Sequence, residues 1–135
     1  MRAPRLGEIL LREGVITKRQ LEHALRVQRQ TGRMLGEVLV ELGYITYEQL
    51  ADALAKQLGL PRLRLDEINV DPGLAYRTDP DLCREHCVVP IKEDADSVTV
   101  ATADPLDVEA MDAIRKLFPD KKVAFGVVSK PEIEK

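Results

Sequence analysis

The chain has 135 residues, 44% of them hydrophobic and 32% charged, which is typical of a folded globular protein rather than a disordered one. No apolar run approaches the roughly 20 residues of a membrane span, and a signal-peptide pattern is lacking, so we expect a cytoplasmic protein that is not membrane-embedded. The net charge of −3 divides into +4 for residues 1–65 and −7 for residues 66–135, and 4% of residues are aromatic, so neither DNA nor RNA is an expected partner.

The first 60 residues contain an internal repeat. At a fixed offset of 29, residues 6–28 and 35–57 share 12 identities in 23 positions. In each copy a glycine stands where a first helix should end in a left-handed residue, and a Thr-x-x-Gln capping box then opens a second helix. These residues are Gly14, Thr17 and Gln20 in the first copy and Gly43, Thr46 and Gln49 in the second. Each copy therefore predicts an αα-hairpin.

Other shared residues are less easily explained by folding. Leu21, Leu25 and Gln28 lie on one helical stripe, and Leu50, Leu54 and Gln57 repeat it in the second copy. An amide at the end of an apolar stripe needs a hydrogen-bond partner. A glycine early in a helix costs helix propensity but opens the backbone N–H groups to an anion. Such glycines are Gly7 and Gly36, flanked by Arg5 and Arg33. Packing alone explains the leucines, whereas the joint recurrence of Gly, Leu and Gln favours a binding site.

The remaining residues, 61–135, predict a small α/β subdomain. Proline and glycine mark a connecting region with short helices near residues 72–77 and 80–86. Two β-rich runs around a polar turn predict a hairpin, and a helix with Asp107 as its N-cap, a third strand and a final helix capped by Ser129 follow. We thus expect an α+β fold, in which a pair of αα-hairpins (residues 1–60) precedes a subdomain with a three-stranded, mainly antiparallel sheet (residues 61–135).

No motif for catalysis is found. The sequence lacks the Walker A pattern and G-x-G-x-x-G, and it has two histidines, so we expect neither an enzyme nor a cofactor. Cys83, His86 and Cys87 offer three metal ligands on one helical turn, but a fourth ligand is lacking, and buried thiols are the favoured interpretation. His23 lies off the leucine stripe and is expected to be exposed.

Residues 5–57 resemble the tandem 24-residue motif of MshEN domains, the N-terminal domains of type II secretion ATPases, and residues 88–107 are similar to the family's C-terminal part. The resemblance implies a regulatory domain that binds cyclic di-GMP and controls a type IV pilus or type II secretion ATPase. Its implied partners are the rest of that ATPase and an inner-membrane platform. In the second motif Met34 stands where the family has arginine, with Arg33 one position earlier, so the two half-sites are expected to be unequal.

The resemblance also assigns roles to residues. Arg5 contacts phosphate or guanine, with Arg33 as its displaced counterpart, Gly7 and Gly36 open the backbone, and Asp104 accepts from a guanine edge. Gln28 and Gln57 hydrogen-bond the ligand. The apolar bed for the nucleotide consists of Leu6, Leu10, Leu21, Leu25, Leu35, Leu39, Leu50 and Leu54. The alternative is a module that docks the ATPase on its membrane platform through the repeat, without a nucleotide.

Overall fold

A computed structural model describes residues 5–68, 70–71, 73–74 and 80–133 of the chain. The chain forms two compact units, the first ending at Gly59 and the second beginning at Leu60. Seven α-helices and a three-stranded sheet lie in these described ranges, so the predicted α+β class is confirmed. Among the same residues, no helix is both long enough and apolar enough to span a membrane.

Four helices make up the first unit, one short and one long helix for each copy of the repeat. They are α1 (Leu6–Arg12), α2 (Lys18–Thr31), α3 (Leu35–Glu41) and α4 (Tyr47–Leu58). Gly14 and Gly43 follow the short helices with φ of +72° and +80°, the left-handed conformation predicted for them.

The predicted capping boxes open both long helices. The Thr17 hydroxyl accepts from the Gln20 N–H at 3.1 Å, and the Gln20 side-chain oxygen accepts from the Thr17 N–H at 2.9 Å. The second copy repeats both distances with Thr46 and Gln49. Four backbone N–H groups at a helix start have no intrahelical partner, so these bonds fix where α2 and α4 begin.

The helices of the first unit pack mainly between the two copies. The more extensive backbone contacts join α1 to α4 and α2 to α3, with a smaller contact between α3 and α4. Leu10 and Leu39, one from each short helix, are fully buried at the centre of this arrangement. The predicted order of helices and turns is right, but the copies interlock instead of standing as two self-contained hairpins. A seven-residue helix buries too little apolar surface to be stable without such partners.

The second unit surrounds one mixed sheet. Its elements are a short 3₁₀ helix (Leu65–Glu67), α5 (Pro80–His86), β1 (Val88–Glu93), β2 (Ser97–Thr102), α6 (Val108–Leu117), β3 (Lys122–Val127) and α7 (Lys130–Ile133). The strand order is β1-β2-β3, with β1 antiparallel to β2 and β2 parallel to β3.

The prediction of a mainly antiparallel sheet is therefore wrong for one of the two strand pairs. The polar turn between β1 and β2 returns the chain directly and gives the antiparallel pair. By contrast, α6 lies between β2 and β3, and a crossover helix brings the next strand back in the same direction. The helix predicted near residues 72–77 lies mostly outside the described residues.

Both faces of the sheet are covered. Val88, Val98, Val100 and Phe125 pack on one face with Ile114 of α6. Ile91, Ala101 and Val128 pack on the other with Leu63 and Leu65. Asp107 caps α6 as predicted, since its carboxylate accepts from the Ala110 N–H at 3.1 Å. Ser129 stands at the predicted cap of α7, but the Glu132 carboxylate is the acceptor there, at 3.3 Å from the Ser129 nitrogen and 3.0 Å from its hydroxyl.

Candidate functional site

The leucines predicted to form the apolar bed differ widely in burial. Leu21 and Leu35 are half-buried, and Leu25 is 36% exposed. The other five are buried: Leu6, Leu10, Leu39, Leu50 and Leu54. Leu10 and Leu39 have no exposed surface, so in this structure they form the core of the helical unit. The open part of the predicted bed is thus concentrated on α2.

The early glycines of the short helices have a packing role. A Cβ on Gly7 would lie 3.0 Å from Leu21 Cδ1, and one on Gly36 would lie 2.5 Å from Leu50 Cδ1. Both glycines are buried. The missing side chain therefore lets a leucine of the long helix lie against the short helix of the same copy. This contact explains the glycines without a ligand, and their role toward a nucleotide stays a prediction.

The arginines that precede the short helices α1 and α3 differ in their contacts. Arg5 is exposed, and its guanidinium group has no ion-pair partner in the part of the chain that the structure describes. The Arg5 N–H donates to the Glu8 carboxylate at 3.4 Å, which caps α1. Arg33, in contrast, forms a salt bridge with Glu41 of α3. Met34, at the position equivalent to Arg5, is 50% exposed.

The two glutamines at the ends of the leucine stripes are both half-buried. The Gln57 side-chain oxygen is buried and has no hydrogen-bond partner among the described residues. A buried acceptor without a donor typically costs ~1–3 kcal/mol. Gln57 is therefore the member of the predicted site whose polar group most requires a partner.

Asp104, the predicted guanine acceptor, lies in the second unit just after β2. It is half-buried, and its backbone N–H donates to the Thr102 hydroxyl at 3.0 Å. The nearby Asp107 carboxylate lies 2.9 Å from His86 Nδ1. The pKa of Asp107 is lowered mainly by the Ala110 N–H bond, and the pKa of His86 is raised mainly by its bond to Asp107. Asp107 thus caps a helix and binds His86, while the role of Asp104 stays a prediction.

The cysteines are not arranged as a metal site. Cys83 is buried, Cys87 is half-buried, and neither forms a disulfide. Over the ranges that the structure describes, no three His, Cys, Asp or Glu side chains form a group able to hold a metal ion.

The helical unit contains a His23 and Tyr44 pair that was not predicted from the sequence. His23 is half-buried instead of exposed, because its Nδ1 lies 2.6 Å from the Tyr44 hydroxyl, with the rings edge to face at 5.8 Å. The two side chains border a cleft of about 360 Å³ on α2 that Arg19 and Arg26 also line. The i, i+4, i+7 spacing of Arg19, His23 and Arg26 was the available signal.

Comparison with known proteins places this geometry in a family. The model of the MshEN domain matches residues 58–135, more than half of the chain. The chain belongs to the MshEN domain family. That match covers essentially the second unit, and the tandem repeat is covered by likeness to whole solved chains. A structure of MshE with cdg (cyclic di-GMP) is 33% identical, with a TM-score of 0.84 over 97% of this chain and 94% of that chain.

Further relatives connect this MshEN domain with larger proteins. The N-terminal domain of XpsE is 25% identical with a TM-score of 0.72, over 96% of this chain and 89% of that chain. The type IV pilus assembly ATPases PilB of Myxococcus xanthus and Thermus thermophilus are each 35% identical, over 84% and 91% of this chain. The chain spans only 20% and 17% of the lengths of these two relatives.

Proposed function

We propose that this MshEN domain binds one molecule of cyclic di-GMP and thereby regulates a type IV pilus or type II secretion ATPase of which it is a non-catalytic part. The observation that carries the proposal is the likeness to MshE with cdg, which extends over 97% of the chain and so includes the whole repeat. The likeness to pilus assembly ATPases supports the setting.

The helical unit offers suitable groups for such a ligand. The half-buried Leu21 and exposed Leu25 give an apolar surface for a purine or ribose, and the exposed Arg5 gives a cation for phosphate or guanine. The buried Gln57 oxygen needs a donor, which the amino or N1–H groups of guanine have. In this proposal Leu10 and Leu39 support the site from the core instead of touching the ligand.

Calorimetric titration of the purified domain with cyclic di-GMP tests the proposal. We expect saturable binding of one nucleotide per chain, because the repeat supplies one copy for each half of a two-fold ligand. GTP and cyclic di-AMP are the controls, and both should bind much more weakly. Absence of cyclic di-GMP binding by a folded domain would refute the proposal and favour the docking module instead.

A second experiment addresses regulation in the full-length protein. ATP hydrolysis is measured with and without cyclic di-GMP, at a concentration that saturates the wild-type protein but not an Arg5→Ala variant. We expect the nucleotide to change the rate in the wild type and to have little effect in the variant. Equal responses of the two proteins would show that Arg5 is not needed for the ligand to act, and an unchanged rate in the wild type would contradict control of the ATPase by this domain.

A further inference from the structure

The cleft on α2 has properties that the proposed nucleotide site does not use. It is lined by the polar and charged side chains Thr17, Arg19, Gln20, His23, Arg26 and Tyr44, and its volume is about 360 Å³. Clefts of roughly 300–1,000 Å³ are typical of small-molecule sites. The bond between His23 and Tyr44 at 2.6 Å ties α2 to the turn before α4, so one wall of the cleft is held in place.

The cleft is separate from the leucine stripe. Residues along an α-helix advance by about 100° each, so Arg19 lies roughly 200° from Leu21, on the opposite side of α2. The Arg19, His23 and Arg26 stripe and the stripe ending at Gln28 thus face different directions. A ligand on one stripe leaves the other open.

Two cations of the cleft are available for an anion. Arg19 and Arg26 are exposed, and neither guanidinium group has an ion pair or hydrogen bond among the described residues. The guanidinium group presents a planar fork of N–H donors that matches a phosphate, and the Tyr44 and Thr17 hydroxyl groups add further polar contacts. The cleft therefore presents positive charge and donors with no acidic side chain among its lining residues.

The second copy of the repeat lacks this arrangement. At the offset of 29, Arg19, His23 and Arg26 correspond to Glu48, Asp52 and Ala55, and Tyr44 corresponds to Val15. The leucine and glutamine stripe is identical in both copies, whereas the opposite stripe changes from basic to acidic. The basic residues of the cleft are therefore not among the shared residues that cap the helices, since those occur in both copies.

We propose that this cleft is a second anion site, which binds a compact, soluble, phosphate-bearing molecule independently of cyclic di-GMP. Two arginines that line one small cleft suit a diphosphate better than a single carboxylate, because each guanidinium fork can engage one phosphate. The imidazole and phenol of the His23 and Tyr44 pair lie at the cleft as further partners for its oxygens.

Calorimetric titration with inorganic pyrophosphate tests the site. We compare the wild type with Arg19→Gln/Arg26→Gln and with a matched control, Arg12→Gln/Arg29→Gln, which removes the same charge from exposed positions outside the cleft. The cleft variant should bind about tenfold or more weakly, and the control should stay within about twofold of the wild type. Equal losses in both variants, or no binding by the wild type, would overturn the proposal.

Two further measurements test whether the cleft binds independently of cyclic di-GMP and whether its ligand is a soluble molecule. The cleft variant should retain the wild-type response to cyclic di-GMP, and saturating cyclic di-GMP should leave pyrophosphate binding unchanged. Competition between the two ligands would overturn the independence of the cleft. Co-sedimentation with phosphatidylglycerol vesicles should not depend on Arg19 and Arg26, and a dependence would assign the cleft to lipid headgroups and refute a soluble ligand.

Discussion

The helices of the two copies begin at equivalent positions, but the copies bury different amounts of their long helices. In α2 only Ala24 is buried among the residues of the helix, whereas α4 buries Leu50, Ala51, Ala53, Leu54 and Ala55. The packing accounts for this, since α4 contacts both short helices while the extensive contact of α2 is with α3. Shared residues therefore specify where the short helices end and where the long helices begin, and tertiary contacts decide which leucines remain open.

The two copies also differ in the polar residues of the predicted site. The first copy has an exposed Arg5 with no ion pair among the described residues. In the second copy Met34 occupies the equivalent position, and the neighbouring Arg33 forms a salt bridge with Glu41. The second copy instead carries the buried Gln57 oxygen, which has no hydrogen-bond partner within the described ranges. If both copies bind one ligand, the first should contribute an open apolar stripe and charge, and the second an amide.

The largest effect is expected from Arg5→Ala. Loss of a charge-assisted contact costs ~1.5–3 kcal/mol, so cyclic di-GMP should bind about one to two decades more weakly. Arg33→Ala should lose less, because its guanidinium group is engaged by Glu41. Titration of both variants gives the comparison, and thermal melts check that Arg5→Ala remains folded. Equal losses would mean that Arg5 and Arg33 contribute equally to binding, although Met34 occupies the position equivalent to Arg5.

The two glutamine variants should differ in stability without the ligand but lose similar amounts of affinity for it. Gln57→Leu removes a buried acceptor for which the described part of the chain has no donor, so the ligand-free domain should be stabilised by ~1 kcal/mol. Gln28→Leu should change stability little. Each variant should lose ~1–3 kcal/mol of cyclic di-GMP binding, because a group on the ligand loses its partner. Urea unfolding and titration measure the two quantities. A Gln57→Leu variant that binds at full strength would remove Gln57 from the site.

Only part of this structure could be predicted from the sequence. Gly14 and Gly43 predicted where the short helices end, and the Thr-x-x-Gln boxes predicted where the long helices begin, because caps act within one turn and depend on local sequence. Burial of Leu10 and Leu39 could not be told from their place on a stripe, since α1 packs on α4 far along the chain. The same holds for His23, whose partner Tyr44 is 21 residues away. The parallel pairing of β3 follows from the α6 crossover, and the helix predicted between the second and third strands was the available signal for it.

The two early glycines offer a finer test of how closely the helices of each copy approach. Alanine at position 36 would place its Cβ 2.5 Å from the buried Leu50, which must shift, and such overpacking costs ~1–3 kcal/mol. At position 7 the nearest atom belongs to the half-buried Leu21 at 3.0 Å, and a gain in helix propensity of ~0.5–1 kcal/mol offsets the crowding. We expect Gly36→Ala to destabilise the domain by ~1 kcal/mol and Gly7→Ala to be nearly neutral. Urea unfolding would contradict the packing role if the order were reversed.

The smallest difference is expected between the N-caps of the long helices. The Thr17 and Thr46 hydroxyl groups accept from Gln20 and Gln49 at the same distance, 3.1 Å, and both threonines are exposed. Replacing an N-cap threonine by alanine typically costs ~1 kcal/mol. Thr17→Ala and Thr46→Ala should therefore lower the free energy of unfolding by similar amounts, although α2 and α4 differ greatly in burial. A serine variant at each position keeps the acceptor oxygen and should retain most of the stability. A much larger loss at Thr46 would mean that the cap and the packing of α4 are coupled, and that the two copies are less alike in their local structure than these distances indicate.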